Sequence, residues 1–287
     1  MLCYRPNRMI NHRTEPQHSR QGDRIDPGTF EKVHGLTVEE DWRRIKALEQ
    51  VCGSVGGITT APALKLDNAR KTITYVRLRN PVSILDGGKD IVDRLYQVGA
   101  TLAKLHSVPF DAGEFLFAND PYPLESFGLN GVETDLLQNA MPTGWFHGDC
   151  WHGNFLMYGS DDRTMALIDP LPDGYTLKRG FIRACGAIDL AVMHMGLFLC
   201  HPLKAQIAFN VAEAVSWADA LLDGYLLTHG AIDERVRNSL LHLSRRLAIN
   251  HLASYEGRLA APIAVVKKHI GKRIVNNLDS KIGWTMQ

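Results

Sequence analysis

Apolar and polar positions follow two different rhythms along this chain. Before residue 80 the apolar residues gather in short extended runs, at 7–13, 28–34, 61–66 and 71–78, broken by Pro, Gly, Asp and Asn, and such runs predict a small sheet. Asp67-Asn68-Ala69-Arg70, between the last two, predicts a hairpin turn. One helix interrupts these runs: Val38, Trp42, Ile45, Leu48 and Cys52 recur on one face, and Thr37 with Glu40 three positions on predicts a capping box. From residue 89 the spacing changes to threes and fours, first in Ile91, Leu95, Val98, Leu102 and Leu105. Further helices are predicted over 188–200, 204–228, 233–255 and 261–277, with two short strands at 155–158 and 164–169. The change near residues 79–81 divides an α+β chain into a β-rich amino-terminal lobe, 1–79, and a larger, mainly helical lobe, 80–287.

Composition narrows the function classes only a little. A chain of 287 residues can bury a substantial core, and a formal net charge of +1 gives no reason to invoke nucleic acid as a partner. The five cysteines are scattered and contain no C-x-x-C pair, which argues against both a disulfide framework and a zinc site and fits a reducing, cytoplasmic setting. No run approaches the roughly 20 apolar residues of a membrane span, and the first residues lack the apolar centre of a signal peptide.

The chemistry concentrates between residues 146 and 169. Phe146-His147-Gly148-Asp149-Cys150-Trp151-His152-Gly153-Asn154-Phe155-Leu156 precedes an apolar run, Met165-Ala166-Leu167-Ile168, that ends in Asp169. An aspartate, an asparagine five residues later and a second aspartate at a strand end are what phosphoryl transfer requires. Asp149 would orient the attacking hydroxyl and accept its proton late in the reaction. Asn154 and Asp169 would offer hard oxygen ligands to Mg2+. A plain turn at Gly148-Asp149 and a plain strand end at Asp169-Pro170 would also explain the pieces singly, though not their combination.

Neighbouring residues admit more than one role. His147 could be a base in its own right, but an orienting role is preferred. Cys150 and His152 form an H-x-x-C-x-H pattern with His147 that matches no usual zinc spacing. Trp151 could stack on a substrate or anchor the loop. Lys32, in Thr29-Phe30-Glu31-Lys32-Val33-His34, could reach nucleotide phosphates if coupled to an acid on the next helix; Asp41 is the better-placed candidate, with Glu40 and a plain surface charge as alternatives. Asp189 opens an apolar helix, where it would either complement the helix N-terminus or grip the catalytic loop from behind.

In these residues the chain resembles the aminoglycoside phosphotransferase and choline kinase-like family, small-molecule kinases with a protein-kinase-like fold. His147, Gly148, Asp149, Gly153 and Asn154 fill its H-G-D-x-x-x-G-N loop; Ile168-Asp169 matches its metal-binding I-D, and Asp189-Leu190-Ala191 its later D-L-A. Leu102-Ala103-Lys104-Leu105-His106-Ser107 is similar to its L-A-x-L-H-S segment, and Tyr4-Arg5-Pro6 to a Y-K-P strand. The resemblance implies a bilobal fold, Asp149 as base, Asn154 and Asp169 on magnesium, Asp189 bracing the loop, and Lys32 on the phosphates of ATP or GTP. It also implies that backbone groups at Val76 and Leu78 receive the adenine. The chain departs from the family in having no glycine-rich loop, Gly22 and Gly28 standing alone, and in Leu171-Pro172-Asp173-Gly174 after the second aspartate, where Asp173 could add an acidic ligand.

The family's acceptors are small hydroxyl compounds, and the charges of the helical lobe bear on the choice. Lys204, Arg235, Arg237, Arg245, Arg246, Arg258, Lys267, Lys268, Lys272 and Arg273 outnumber the nearby acids, which tilts the expectation toward a neutral or anionic acceptor. A protein or peptide kinase would need an activation segment that is not evident. A degenerate kinase fold that binds without turnover would have no need of all three of Asp149, Asn154 and Asp169.

Overall fold

The computed structural model describes residues 28–86, 90–115, 117–118, 120–158, 164–170, 180–201, 206, 210–230, 233–254 and 262–281. The expected strand at 7–13, Tyr4-Arg5-Pro6, Gly22, Lys204, Arg258 and the segment around Asp173 lie outside the described residues. Strands β1 (Thr29–Val33), β3 (Ala63–Asp67) and β4 (Thr72–Val76) form an antiparallel sheet in the order β1-β4-β3. The hairpin falls where the polar tetrad predicts it, with Asp67 Oδ1 accepting from Arg70 N at 2.8 Å.

Helix α1 (Val38–Ser54) follows β1, and its apolar stripe is used on two sides. Val38 and Ile45 pack against Ala61, Ala63, Ile73 and Tyr75 of the small sheet, whereas Ala47, Leu48, Val51 and Cys52 enter the main core of the molecule. The capping box expected at its start is not made. Thr37 Oγ1 instead donates to His34 O at 3.2 Å and Asp41 Oδ2 at 3.0 Å, while Glu40 accepts from Arg44 one turn on. Arg44 is fully buried; its guanidinium donates to the Phe181 carbonyl and lies over the Phe117 ring, tying α1 to the second lobe.

A second sheet runs β2 (Ile58–Thr59), β8 (Thr164–Leu167), β7 (Phe155–Tyr158), β5 (Val82–Ser83), and a third pairs β6 (Thr143–Trp145) with β9 (Arg183–Cys185). The two-residue strands β2 and β5 are too short to leave a periodic signal. The helical lobe comprises α2 (Ile91–His106), α3 (Gly131–Ala140), α4 (Ala187–Leu199), α5 (Val211–His229), α6 (Glu234–Ser254) and α7 (Pro262–Lys281). Helix α3 starts with the reciprocal bonds of a capping box between Asn130 and Glu133, at 2.9 and 3.1 Å.

Helices α2 and α5 pack at unusually close range. A Cβ on Gly99 would stand 2.1 Å from Leu221 O, and one on Gly224 would stand 2.0 Å from Tyr96 O, so each helix offers bare backbone to the other. Helix α4 is buried along its whole length, with every residue from Ala187 to Leu199 in the interior. It is apolar on nearly every side because α5, α6, α7 and the turn His152–Asn154 pack around it. No helix among the described residues is long and apolar enough to cross a membrane.

Candidate active site

Loop 146–154 leaves β6 and leads into β7, and its shape is set by the residues themselves. Gly148 has φ 83°, a left-handed conformation that a side chain would oppose. The Asp149 carbonyl accepts from Trp151 N at 3.0 Å, the Trp151 carbonyl from Asn154 N at 2.9 Å, and the Asn154 carbonyl from Ile168 N at 3.0 Å. That last bond joins the loop to the end of β8. Gly153 has a different cause: a Cβ there would stand 2.4 Å from the Trp151 ring. Trp151 also lies against Gly196 of α4, where a Cβ would come within 3.1 Å, so the indole is seated between the loop and α4.

Behind the loop stands Asp189, fully buried at the start of α4. Its Oδ2 accepts from His147 N at 2.5 Å and its Oδ1 from Gly148 N at 2.9 Å. His106 Nε2 lies 3.2 Å from Oδ2, and the other ring nitrogen of His106 meets Tyr225 Oη at 2.8 Å. Burial works to raise the Asp189 pKa, but the hydrogen bond and charge of His106, with the contribution of His147, bring it below the ordinary carboxylate range. His106 is the histidine of the Leu102–Ser107 segment at the end of α2, whereas Tyr225, from α5, escapes a reading based on motif spacing. Gly186 makes room for them: a Cβ there would meet Tyr225 Oη at 2.3 Å and His106 Nδ1 at 2.5 Å.

His147 spends both ring nitrogens on main-chain atoms. Nε2 donates to Ile168 O at 2.8 Å, and Nδ1 accepts from Asp149 N at 3.2 Å. Burial lowers its pKa, against the raising influence of Asp189, so the imidazole is neutral with its acceptor lone pair already used. This geometry ties Asp149 to the strand end that carries Asp169.

Asp149 is half-buried and Asn154 buried, and the two are clamped together. Asn154 Nδ2 donates to Asp149 O at 2.7 Å and to Asp149 Oδ2 at 3.1 Å. With the amide nitrogen committed, the Asn154 side-chain oxygen is the donor atom left for a cation. Asp169, at φ 56°, turns sharply after β8, a conformation that aspartate tolerates better than most residues. Lys32 Nζ lies 2.6 Å from its Oδ1, so a cation already occupies the carboxylate. Among the described residues no cluster of three or more His, Cys, Asp or Glu side chains stands ready for a metal; the Asn154 oxygen and the Asp169 carboxylate are the hard oxygen donors at this place.

The pairing expected between Lys32 and Asp41 takes another form. Lys32 makes its short ion pair with Asp169, while Asp41 Oδ2 stands 2.9 Å from His34 Nδ1 and accepts from Thr37. His34 Nε2 in turn meets Tyr75 Oη at 2.9 Å, so α1 is coupled to the small sheet through an imidazole. At the end of β4, Val76 N donates to Pro62 O at 2.9 Å. Leu78, beyond the ladder, packs beside Ile168 against the upper core. Two surface cavities, of about 780 and 900 Å³, open on other faces, lined by residues such as Phe110 and Arg183 or Asp135 and His229.

The three sheets, the helical lobe and the loop braced from behind together define a bilobal kinase-like fold. No protein-family model matches the chain, and no curated protein matches it in sequence. Solved structures do match. A choline/ethanolamine kinase family protein from Mesorhizobium loti superposes with a TM-score of 0.53 at 13% identity, over 92% of this chain and 85% of that one. Choline kinase LicA from Streptococcus pneumoniae superposes with a TM-score of 0.50 at 12% identity, over 88% of this chain and 86% of that one. The α+β architecture, sheets first and helices after, is therefore the fold of the choline/ethanolamine kinases.

Proposed function

We propose that this protein is a small-molecule kinase that transfers the γ-phosphoryl group of ATP or GTP to a hydroxyl group. The observation that carries this reading is the clamp of Asn154 on Asp149, in a loop whose His147 and Gly148 amides Asp189 holds, together with the Lys32–Asp169 pair. Phosphoryl transfer asks the protein for placement and for charge of the right sign, and this cluster supplies both.

Asp149 is the base. Its carboxylate accepts from Asn154 Nδ2 through Oδ2 and would take the acceptor hydroxyl's proton as the bond to phosphorus forms. Asn154 and Asp169 are the residues that would hold magnesium, which when bound neutralises the triphosphate oxygens. Lys32 moves from Asp169 to the phosphates when nucleotide enters. Both partners are about a quarter exposed, at 26% and 28%, so this ion pair is weak enough in water to be exchanged for a polyanion. His147, with neither ring nitrogen available for a proton from substrate, acts as the post that orients Asp149. The base of the nucleotide is received at Leu78, because the Val76 N–H is already bonded to Pro62.

Thermal shift with ATP or GTP and magnesium, followed by turnover assays on hydroxyl metabolites, tests this assignment. Binding of a magnesium-nucleotide complex raises Tm, by linkage, in proportion to the logarithm of its concentration. No shift with either nucleotide at millimolar concentration would sink the kinase reading in favour of a binding module.

A further inference from the structure

Lys32 is carried by a strand at the margin of its sheet. In the order β1-β4-β3, strand β1 pairs with β4 alone among the described residues, and Lys32 lies opposite Ile73. An edge strand is held by main-chain bonds from one side only. Side chains supply the second fastening here, and they do so on both flanks of the lysine. Two residues before it, Phe30 stacks on Tyr75, with ring centroids 5.1 Å apart and planes 15° from parallel. Two residues after it, His34 Nε2 meets the hydroxyl of the same buried tyrosine at 2.9 Å.

His34 is fixed from two further directions. Its main-chain N–H donates to Lys71 O at 2.9 Å, which closes the ladder just beyond Val33. Its Nδ1 stands 2.9 Å from Asp41 Oδ2 of α1, in a pair buried from solvent, and Thr37 Oγ1 donates to the same carboxylate oxygen at 3.0 Å. A carboxylate only accepts, so Nδ1 carries the proton toward Asp41 and Nε2 accepts from the Tyr75 hydroxyl. One imidazole thus joins α1, β1 and β4.

The acid of α1 therefore reaches the lysine's strand rather than the lysine. Asp169 is the one carboxylate that pairs with Lys32 among the described residues. When nucleotide draws the ammonium off Asp169, its stem keeps no side-chain partner, and its aim depends on the backbone from which it springs. We infer that His34 is a positioning residue for Lys32: by joining Asp41 to Tyr75 it fixes the exit of β1 and so sets where the ammonium meets the phosphates. The inference rests on the kinase reading and deepens it. Its particular consequence is that His34 acts on nucleotide only through Lys32, which a residue that merely stabilises the sheet would not do.

The test is equilibrium titration of the full chain with magnesium and ATP or GTP, which requires no acceptor. His34→Ala should raise Kd by about tenfold, and by no more than Lys32→Met does, as expected when a charge-assisted contact is misplaced. Tyr75→Phe keeps the stack on Phe30 and removes only the hydroxyl, so it should raise Kd by about threefold. His34→Asn, which retains a donor near the Nδ1 position, should recover part of the loss. In a Lys32→Met background, His34→Ala should leave Kd within about twofold, because the group it positions is gone. An equal loss in both backgrounds overturns the inference and leaves the kinase standing. So does a His34→Ala chain that melts lower yet binds nucleotide as before. If His34→Ala does not fold, the same cycle is run with Tyr75→Phe and read in the same way. Failure of the unaltered chain to bind either nucleotide removes the kinase reading itself, so the two failures are distinct.

Discussion

Asp149 is fixed at its backbone as well as at its side chain, its N–H donating to His147 Nδ1. A motif names the aspartate; only the coordinates show that Asn154 bridges its carbonyl and carboxylate. Asp149→Ala should lower kcat by about 10² or more without loss of folding, measured by initial rates alongside a thermal melt. Asp189→Ala should behave differently, because it orphans the His147 and Gly148 amides and leaves His106 Nε2 without its partner in the interior. We expect it to cost about 3–5 kcal/mol of stability, visible in urea denaturation before any assay is run. Acid should act on the same neighbourhood. His147, His152 and His194 are kept neutral, chiefly by burial, the latter two with pKa values near 3. As pH falls below about 6.5 the unfolded chain takes up protons that the fold refuses, so each costs up to about 1.4 kcal/mol per pH unit. Asp189, whose pKa is lowered in the fold, keeps its full contribution above about pH 4 and loses it as pH falls further. Denaturation midpoints at pH 7, 6 and 5 should therefore decline steadily; equal midpoints would contradict the buried neutral histidines.

Among the elements, those with many turns of regular spacing were legible and those held by partners were not. Helix α2 buries Leu95, Val98, Leu102 and Leu105 as its stripe requires, and the hairpin of β3 and β4 closes at its polar tetrad. By contrast β2 exists because Ile58 and Thr59 lie parallel to Met165 and Ala166, a long-range pairing with no local signal. The Asn130–Glu133 capping box was there to be read as N-x-x-E, whereas Thr37 and Glu40 fit the same pattern and were diverted, since Asp41 and Arg44 offer stronger partners. The Lys32–Asp169 pair lies beyond local sequence for a similar reason: helical phase can rank Asp41 against Glu40 but cannot see Asp169 arriving from beyond β8. Helices α2 and α5 give the sharpest test at this scale. Gly224→Ala must push a methyl group into the Tyr96 carbonyl, and backbone cannot swing aside as a flexible side chain would. A Tm lower by about 5 °C or more is expected, while Gly230→Ala, just past the end of α5, should show only the modest strain of a positive φ.

For the molecule as a whole, the division into lobes has a consequence for anyone cutting the chain. Helix α1 belongs by sequence to the first 79 residues, yet Leu48, Val51 and Cys52 sit in the large core, and Ile58 is laid against β8, the strand that leads to Asp169. The covalent border and the packing border are thus displaced from one another by about a helix and a strand. A fragment comprising residues 28–79 would carry an uncovered apolar flank of α1 and a strand deprived of its neighbour, and should precipitate or associate when purified alone. Its complement would lose the Arg44 guanidinium from the Phe181 carbonyl and part of its own interior. What remains as a separable unit above the catalytic loop is the three-stranded sheet with the amino-terminal turns of α1. Any widening or narrowing of the gap between that small sheet and loop 146–154 should therefore be a tilt of the sheet about a helix anchored in the other lobe, rather than a swing of two independent bodies about residue 80.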